Sequence, residues 1–205
     1  MSFCRIAGRA LVAAVGLACV ISVADAQQQG RIRGQIEKAD GPMLTLKTRE
    51  GATMQVRLAD DARVGALEKA SLADIKQDSF IGIAGMPLPD GSIEAFSIHI
   101  FQPAQRGVVA DRQGPWDAKP GSTMTNAYVV SMVAANNSDT LKVKYKDGEK
   151  TVHVSPQTVI AATTKGDKSE LKPGAQIIIM GSDKQPDGSV TAKTLYVGRG
   201  VSPAM

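Results

Sequence analysis

Cysteine is nearly missing from this chain. The only two, Cys4 and Cys19, fall within the first 26 of 205 residues. The remainder therefore has no thiol for a disulfide, a thiolate metal site or a cysteine nucleophile. Aromatic residues are scarce as well: one Trp, three Tyr and four Phe. They are not interleaved with Arg and Lys, so a nucleic-acid stacking platform is excluded. The two histidines, His99 and His153, stand far apart without a companion spacing, so no zinc or copper motif is present. Nucleophile-elbow, phosphate-loop and dinucleotide signatures are all lacking. The Asp-Gly turns do not carry the alternating oxygen ligands of an EF-hand. Charge is mixed in sign, with a formal net of +4 and no basic block, which argues against a nucleic-acid partner. After residue 23 no apolar run reaches the ~20 residues of a membrane-spanning helix.

The single long apolar run is Ala10–Val23, "ALVAAVGLACVISV". Arg5 and Arg9 precede it, and Ala24-Asp25-Ala26 supplies small residues where a signal peptidase cuts. This pattern predicts a signal peptide over residues 1–26, cleaved before Gln27, and a periplasmic or secreted protein. A retained anchor and a lipoprotein modified at Cys19 are the weaker alternatives: the run is short, and Gly16 stands where a large aliphatic is required. Cleavage leaves 179 residues with 22 basic and 19 acidic side chains. With so few aromatics, their core must be built from Val, Ile, Leu, Ala and Met, which favours small β-units.

Those residues repeat. Residues 31–51 and 128–148 align so that Ile32 meets Val129, Ile36 meets Val133 and Leu44 meets Leu141. Further on, Val56 meets Val152 and Ile75 meets Leu171. "PDGSIEA" at 89–95 meets "PDGSVTA" at 186–192. An ordered register of this length is the mark of an internal duplication. Within each copy "MLTLKT" and "TLKVKY" alternate apolar with polar, as strands with one buried face do. "REG", "KDG" and "PDGS" are hairpin turns. "FIGIAG" and "QIIIMG" are continuous apolar runs, suited to strands covered on both faces. "SLADIK" and "KSELKPG" each predict one or two helical turns. The order is three strands, a short helix, two strands.

The expected fold is therefore all-β with small helical turns: two tandem OB-like five-stranded β-barrels from an internal duplication. The expected division is barrel 1 over 27–104, a linker over 105–127, barrel 2 over 128–200 and a tail over 201–205. An SH3-like barrel or small sandwich is the alternative.

The run "LTLKTREG…VRL…LADIK…FIGIAG…DGSIEA", together with the linker "RGVVADRQGPWDAKPGSTMTNAYV", resembles the DUF5666 group of bacterial envelope domains. That resemblance implies OB-like barrels in tandem and no established activity. Related chains carry a histidine shortly before the Pro-Trp-Asp run. "DRQGPWD" has none, so no role for it carries over.

Trp116 stands in the segment that duplication does not explain. A free tryptophan would expose much apolar area, so it is expected to wedge between the barrels. Arg106, Arg112 and Asp117 are its polar surroundings. These four residues are also the candidate binding site, because clefts between domains are common pockets. His99 and His153 are expected to be exposed strand residues. Met43, Met54 and Met180 are expected to fill the core. No catalytic residue, metal ligand or cofactor is expected. The expected role is a non-catalytic periplasmic or secreted structural or binding module, with an unknown envelope protein or small ligand as partner. A small-ligand or metal-binding accessory using the inter-barrel cleft is the alternative, and a hydrolase with an unrecognised triad ranks last.

Overall fold

A computed structural model describes residues 31–133, 139–185 and 189–203. The expected signal peptide, the turn at 186–188 and the last two residues of the tail lie outside them. The described chain is all-β. Eleven strands run in order: β1 Ile32–Asp40, β2 Met43–Thr48, β3 Thr53–Lys69, β4 Phe80–Pro87, β5 Ile93–Ile100, β6 Gln113–Pro115, β7 Thr123–Val133, β8 Asp139–Tyr145, β9 Gly148–Lys165, β10 Gln176–Lys184 and β11 Val190–Arg199. The helical hints become single 3-10 turns, η1 Leu72–Asp74 and η3 Lys168–Glu170; a third, η2, spans Pro103–Gln105. Ser71 opens η1 by donating both its N–H and its hydroxyl to Asp74, at 2.8 Å each.

The strands close two five-membered rings, and neither ring is a consecutive stretch of chain. The first pairs β1 with β2, β2 with β3, β3 with β11, β11 with β10, and β10 with β1. The second pairs β7 with β8, β8 with β9, β9 with β5, β5 with β4, and β4 with β7. Each barrel thus takes three strands from one half and two from the other. The expected division at 27–104 and 128–200 does not describe the barrels.

The cause is the path of the chain after its two long strands. Beyond β3, Ala70 N–H still donates to Ile160 of β9, so β4 is delivered to the second barrel. Beyond β9, Gly166 N–H donates to Val64 of β3, so β10 is delivered to the first. The two long strands pair antiparallel where they cross, Leu67 opposite Thr163. Their pairing joins both barrels into one eleven-stranded sheet.

The two rings share one register. Ile93 faces Val152 in the parallel pair of one, and Val190 faces Val56 in that of the other. In the first hairpin the sequence alignment slips. Ile36 pairs with Leu46, and it is Val129, not Val133, that pairs with Val143. The connection from β7 to β8 is longer than that from β1 to β2 and absorbs the four positions.

Alternation places one face of each strand inside its ring. Ile36, Leu44, Leu46, Val56, Ile177 and Leu195 are among those that fill the first core. Ile81, Ile83, Ile98, Val129, Leu141 and Val152 are among those that fill the second. β4 is buried on both faces from Phe80 to Gly85, as its apolar run implied. Close strand approach makes one glycine obligatory. A Cβ on Gly34 would stand 2.4 Å from the Lys47 carbonyl oxygen. Gly34→Ala must part β1 from β2, and overpacking of this kind costs ~1–3 kcal/mol. A denaturant midpoint equal to that of the parent chain would contradict this.

Candidate functional site

The expected linker is not a loop. β6 adds to β7, with Gln113 opposite Thr125, and the chain returns through a tight hairpin. Trp116 N–H donates to the Ser122 carbonyl at 2.8 Å, and the Ser122 hydroxyl donates back to Lys119 O at 2.7 Å. This hairpin lays Trp116 on the outer face of the second barrel, against Ala84, Phe96 and Met124. The ring is 7% exposed.

The first barrel covers it from the other side. The Arg31 guanidinium lies 3.7 Å from the Trp116 ring centroid, and that of Arg33 lies at 5.8 Å. Cation–π contacts of this kind contribute ~0.5–2 kcal/mol. Asp117 accepts from Arg33 Nη2 at 2.7 Å and from Arg31 N–H at 2.9 Å. Burial alone would raise the Asp117 carboxyl; the bonds from Arg33 and Arg31 outweigh it and hold the pKa below the usual value. Burial also lowers the Arg31 guanidinium below its ordinary value, against the pull of Asp117 and with help from Arg33 and Arg112. Trp116 is therefore a wedge that both barrels hold.

Beside this cluster a cavity of about 600 Å³ opens at the junction of the two barrels. Arg31, Arg112, Trp116 and Asp117 lie along its wall. Leu67 and Thr163 reach it from the crossing of β3 and β9, His99 and Phe101 from the end of β5, and Ile178, Met180 and Tyr196 from β10 and β11. Tyr196 lies across Gly65, whose absent Cβ would fall 2.4 Å from the ring, and its hydroxyl accepts from Gln105 at 3.2 Å. Thr163 is tied down by Gln102 N–H at 3.0 Å and by Gln105.

Of the four candidate residues, Trp116, Asp117 and Arg112 come together here. Arg106 does not: it donates to Asp78 O and lies 5.7 Å from the Tyr128 ring. His99 is not an exposed strand residue. It points outward from its own barrel, but the first barrel lies against that face, leaving it 5% exposed. Burial alone pushes its pKa down to about 3. His153 stays part-exposed on β9. Met180 is 39% exposed and lines the cavity instead of filling a core.

Comparison with protein families, curated proteins and solved structures yields no match. The site therefore stands on its own geometry. Among the described residues no group of three or more His, Cys, Asp or Glu side chains is placed to hold a metal ion. No helix among them is long and apolar enough to cross a membrane.

Two residues of the cavity wall each carry a donor atom shut off from solvent. Trp116 Nε1 and Arg31 Nε are buried without a hydrogen-bond partner. Leaving such a group unsatisfied costs ~1–3 kcal/mol. Arg31 and Arg33 carried no signal in the sequence, since they sit at the start of a strand 83 or more positions from Trp116.

Proposed function

We propose that this protein is a non-catalytic binding module of the bacterial envelope that holds a small ligand at the junction of its two barrels. The observation that carries this reading is a cavity of about 600 Å³ at the junction, whose wall brings Arg31 and Arg112 beside Phe101, Met124 and Met180. That volume lies within the ~300–1,000 Å³ of small-molecule sites, which are typically apolar with a few placed polar groups. The imidazole on the described cavity wall, His99, is kept neutral by burial. The basic start, apolar run and small-residue site over 1–26, with the resemblance to envelope domains, support the location. The internal register supports an origin by duplication.

Trp116 is the sole tryptophan, so its emission reports on this site alone. A panel of small anions, sugars and amphiphiles is expected to include compounds that shift Trp116 emission and raise the melting temperature. Thr194→Phe, which fills the cavity from β11, should abolish both responses. A panel with neither response, or responses unaffected by Thr194→Phe, would remove the cavity as the site.

A further inference from the structure

We propose that the ligand of the junction cavity is an amphipathic carboxylate, its anionic head at Arg31 and Arg112 and its apolar body against Phe101, Val109, Met124 and Met180. This rests on the cavity being the binding site.

The sign of the head follows from the groups on the wall. Among the described residues, the charged groups lining the cavity are Arg31, Arg112 and Asp117. Asp117 is already committed, to Arg33 Nη2 at 2.7 Å and to Arg31 N–H at 2.9 Å. Its second contact with Arg31, at Nη1, is longer, at 3.7 Å. The Arg112 side chain makes no hydrogen bond or ion pair among the described residues and lies close enough to Arg31 to disfavour its charge. An anion would relieve that repulsion, and a cation would add to it. A planar carboxylate accepts from a guanidinium in strong, charge-assisted bonds.

The apolar body follows from the remaining wall. Its accessible apolar side chains are Phe101, Val109, Met124 and Met180, set beside the polar Asn126, Thr194 and Tyr196. The Thr163 hydroxyl is occupied by its own bonds to Gln102, Gln105 and Ile100. A small hydrophilic anion would leave this surface wet, whereas a hydrocarbon chain would bury it at ~25 cal/mol per Å². Met180 adds a flexible, polarisable side chain suited to packing against such a chain.

The test is titration calorimetry of the intact protein with four probes below their aggregation concentrations: decanoate, decanol, decylammonium and acetate. Decanoate should bind at least ~10-fold tighter than decanol, because a charge-assisted bond contributes ~1.5–3 kcal/mol. Acetate and decylammonium should bind weakest. Arg112→Gln, a change at an exposed side chain, should cut decanoate affinity several-fold and leave decanol unchanged. Arg31→Met should do the same more strongly. Equal binding of the three decyl probes, a preference for decylammonium, or an unchanged decanoate affinity in Arg112→Gln would overturn the carboxylate assignment while leaving the cavity as a binding site. If no decyl probe binds while other compounds in the panel shift Trp116 emission through the cavity, the assignment also fails and the site stands.

Discussion

Cut between Gly107 and Val108, the chain is expected to yield two fragments that cannot fold apart and that rebuild both barrels when mixed. The cut falls in an exposed turn, with Val108 76% exposed. The N-terminal fragment keeps β1–β3 of the first barrel but loses β10 and β11, which close it on both edges. Of the thirteen buried residues in the first core, seven (Leu171, Ile177, Ile179, Val190, Ala192, Leu195 and Val197) belong to the C-terminal fragment. The second core divides the same way, with six of thirteen, from Ile75 to Ile98, on the N-terminal fragment. At ~1.5–3 kcal/mol for each large aliphatic side chain, either loss is on the order of 10 kcal/mol. Whole domains are stable by only ~5–15 kcal/mol. The open edges of β1 and β3 would also present unpaired backbone groups. Circular dichroism and size-exclusion chromatography of each fragment, then of the equimolar mixture, check this. A monomeric, cooperatively melting β-domain from either fragment alone, with no association on mixing, would show that consecutive halves make the barrels and that the exchanged topology is wrong.

Acid should destabilise the protein through His99 before it touches the carboxylates. The imidazole is buried at the junction, and its folded pKa is depressed to about 3, against ~6.5 in the unfolded chain. Above pH ~6.5 neither state holds the proton and His99 contributes nothing to the slope. Below it the unfolded chain binds a proton that the folded chain refuses, so stability falls with pH. The slope is ~1.4 kcal/mol per pH unit and continues down to the folded value. Between pH 6.5 and 4.5 the loss is therefore on the order of 2–3 kcal/mol. Asp74, Asp117 and Glu170 are also held below their ordinary values, through bonds from Ser71, Arg33 and Arg199. Their stabilisation is present above the unfolded carboxylate range and is lost as pH falls through it, so it enters only at the acid end of this window, where it is common to the parent chain and the His99 variant. Urea denaturation of the parent chain and of His99→Gln at pH 7, 6, 5 and 4.5 isolates the effect. The two stabilities should converge as pH falls. Parallel curves would mean that His99 is protonated in the folded protein.

The junction also shows why some residues were legible and others were not. Hairpins are local. "PDGS" at 89–92 turns β4 into β5, with the Ser92 N–H bonded to Asp90 at 2.9 Å, and such chemistry can be read from four residues. Two of the three helical turns were equally plain, since "SLAD" carries its own cap, whereas η2 gave no such signal. Trp116 was legible as an anomaly, a large apolar ring in a segment without period. Its partners were not, because Arg31 and Arg33 look like any polar positions at a strand start.

His99 was misread for a related reason. A period of two separates an inner face from an outer one and says nothing about what lies against the outer face. On β5 that neighbour is another barrel, so the outward position is dry. The same ambiguity governs the closure of the rings. Strands β4 and β5 resemble β10 and β11 in length, apolarity and turn, so either pair offers β3 a similar edge and a similar core contribution. No local preference separates pairing within a half from pairing across halves. The sequence by itself determined the all-β class, the order of the ten barrel strands, the turns at 49–51, 89–92 and 146–148 and most core positions, because each rests on contacts or periods a few residues long. Only the tertiary structure decided which strands close which barrel, and with that the junction, its cavity and its charge. The decision lies in where the chain travels after Lys69 and Lys165, where backbone bonds reach residues 90 and 102 positions away.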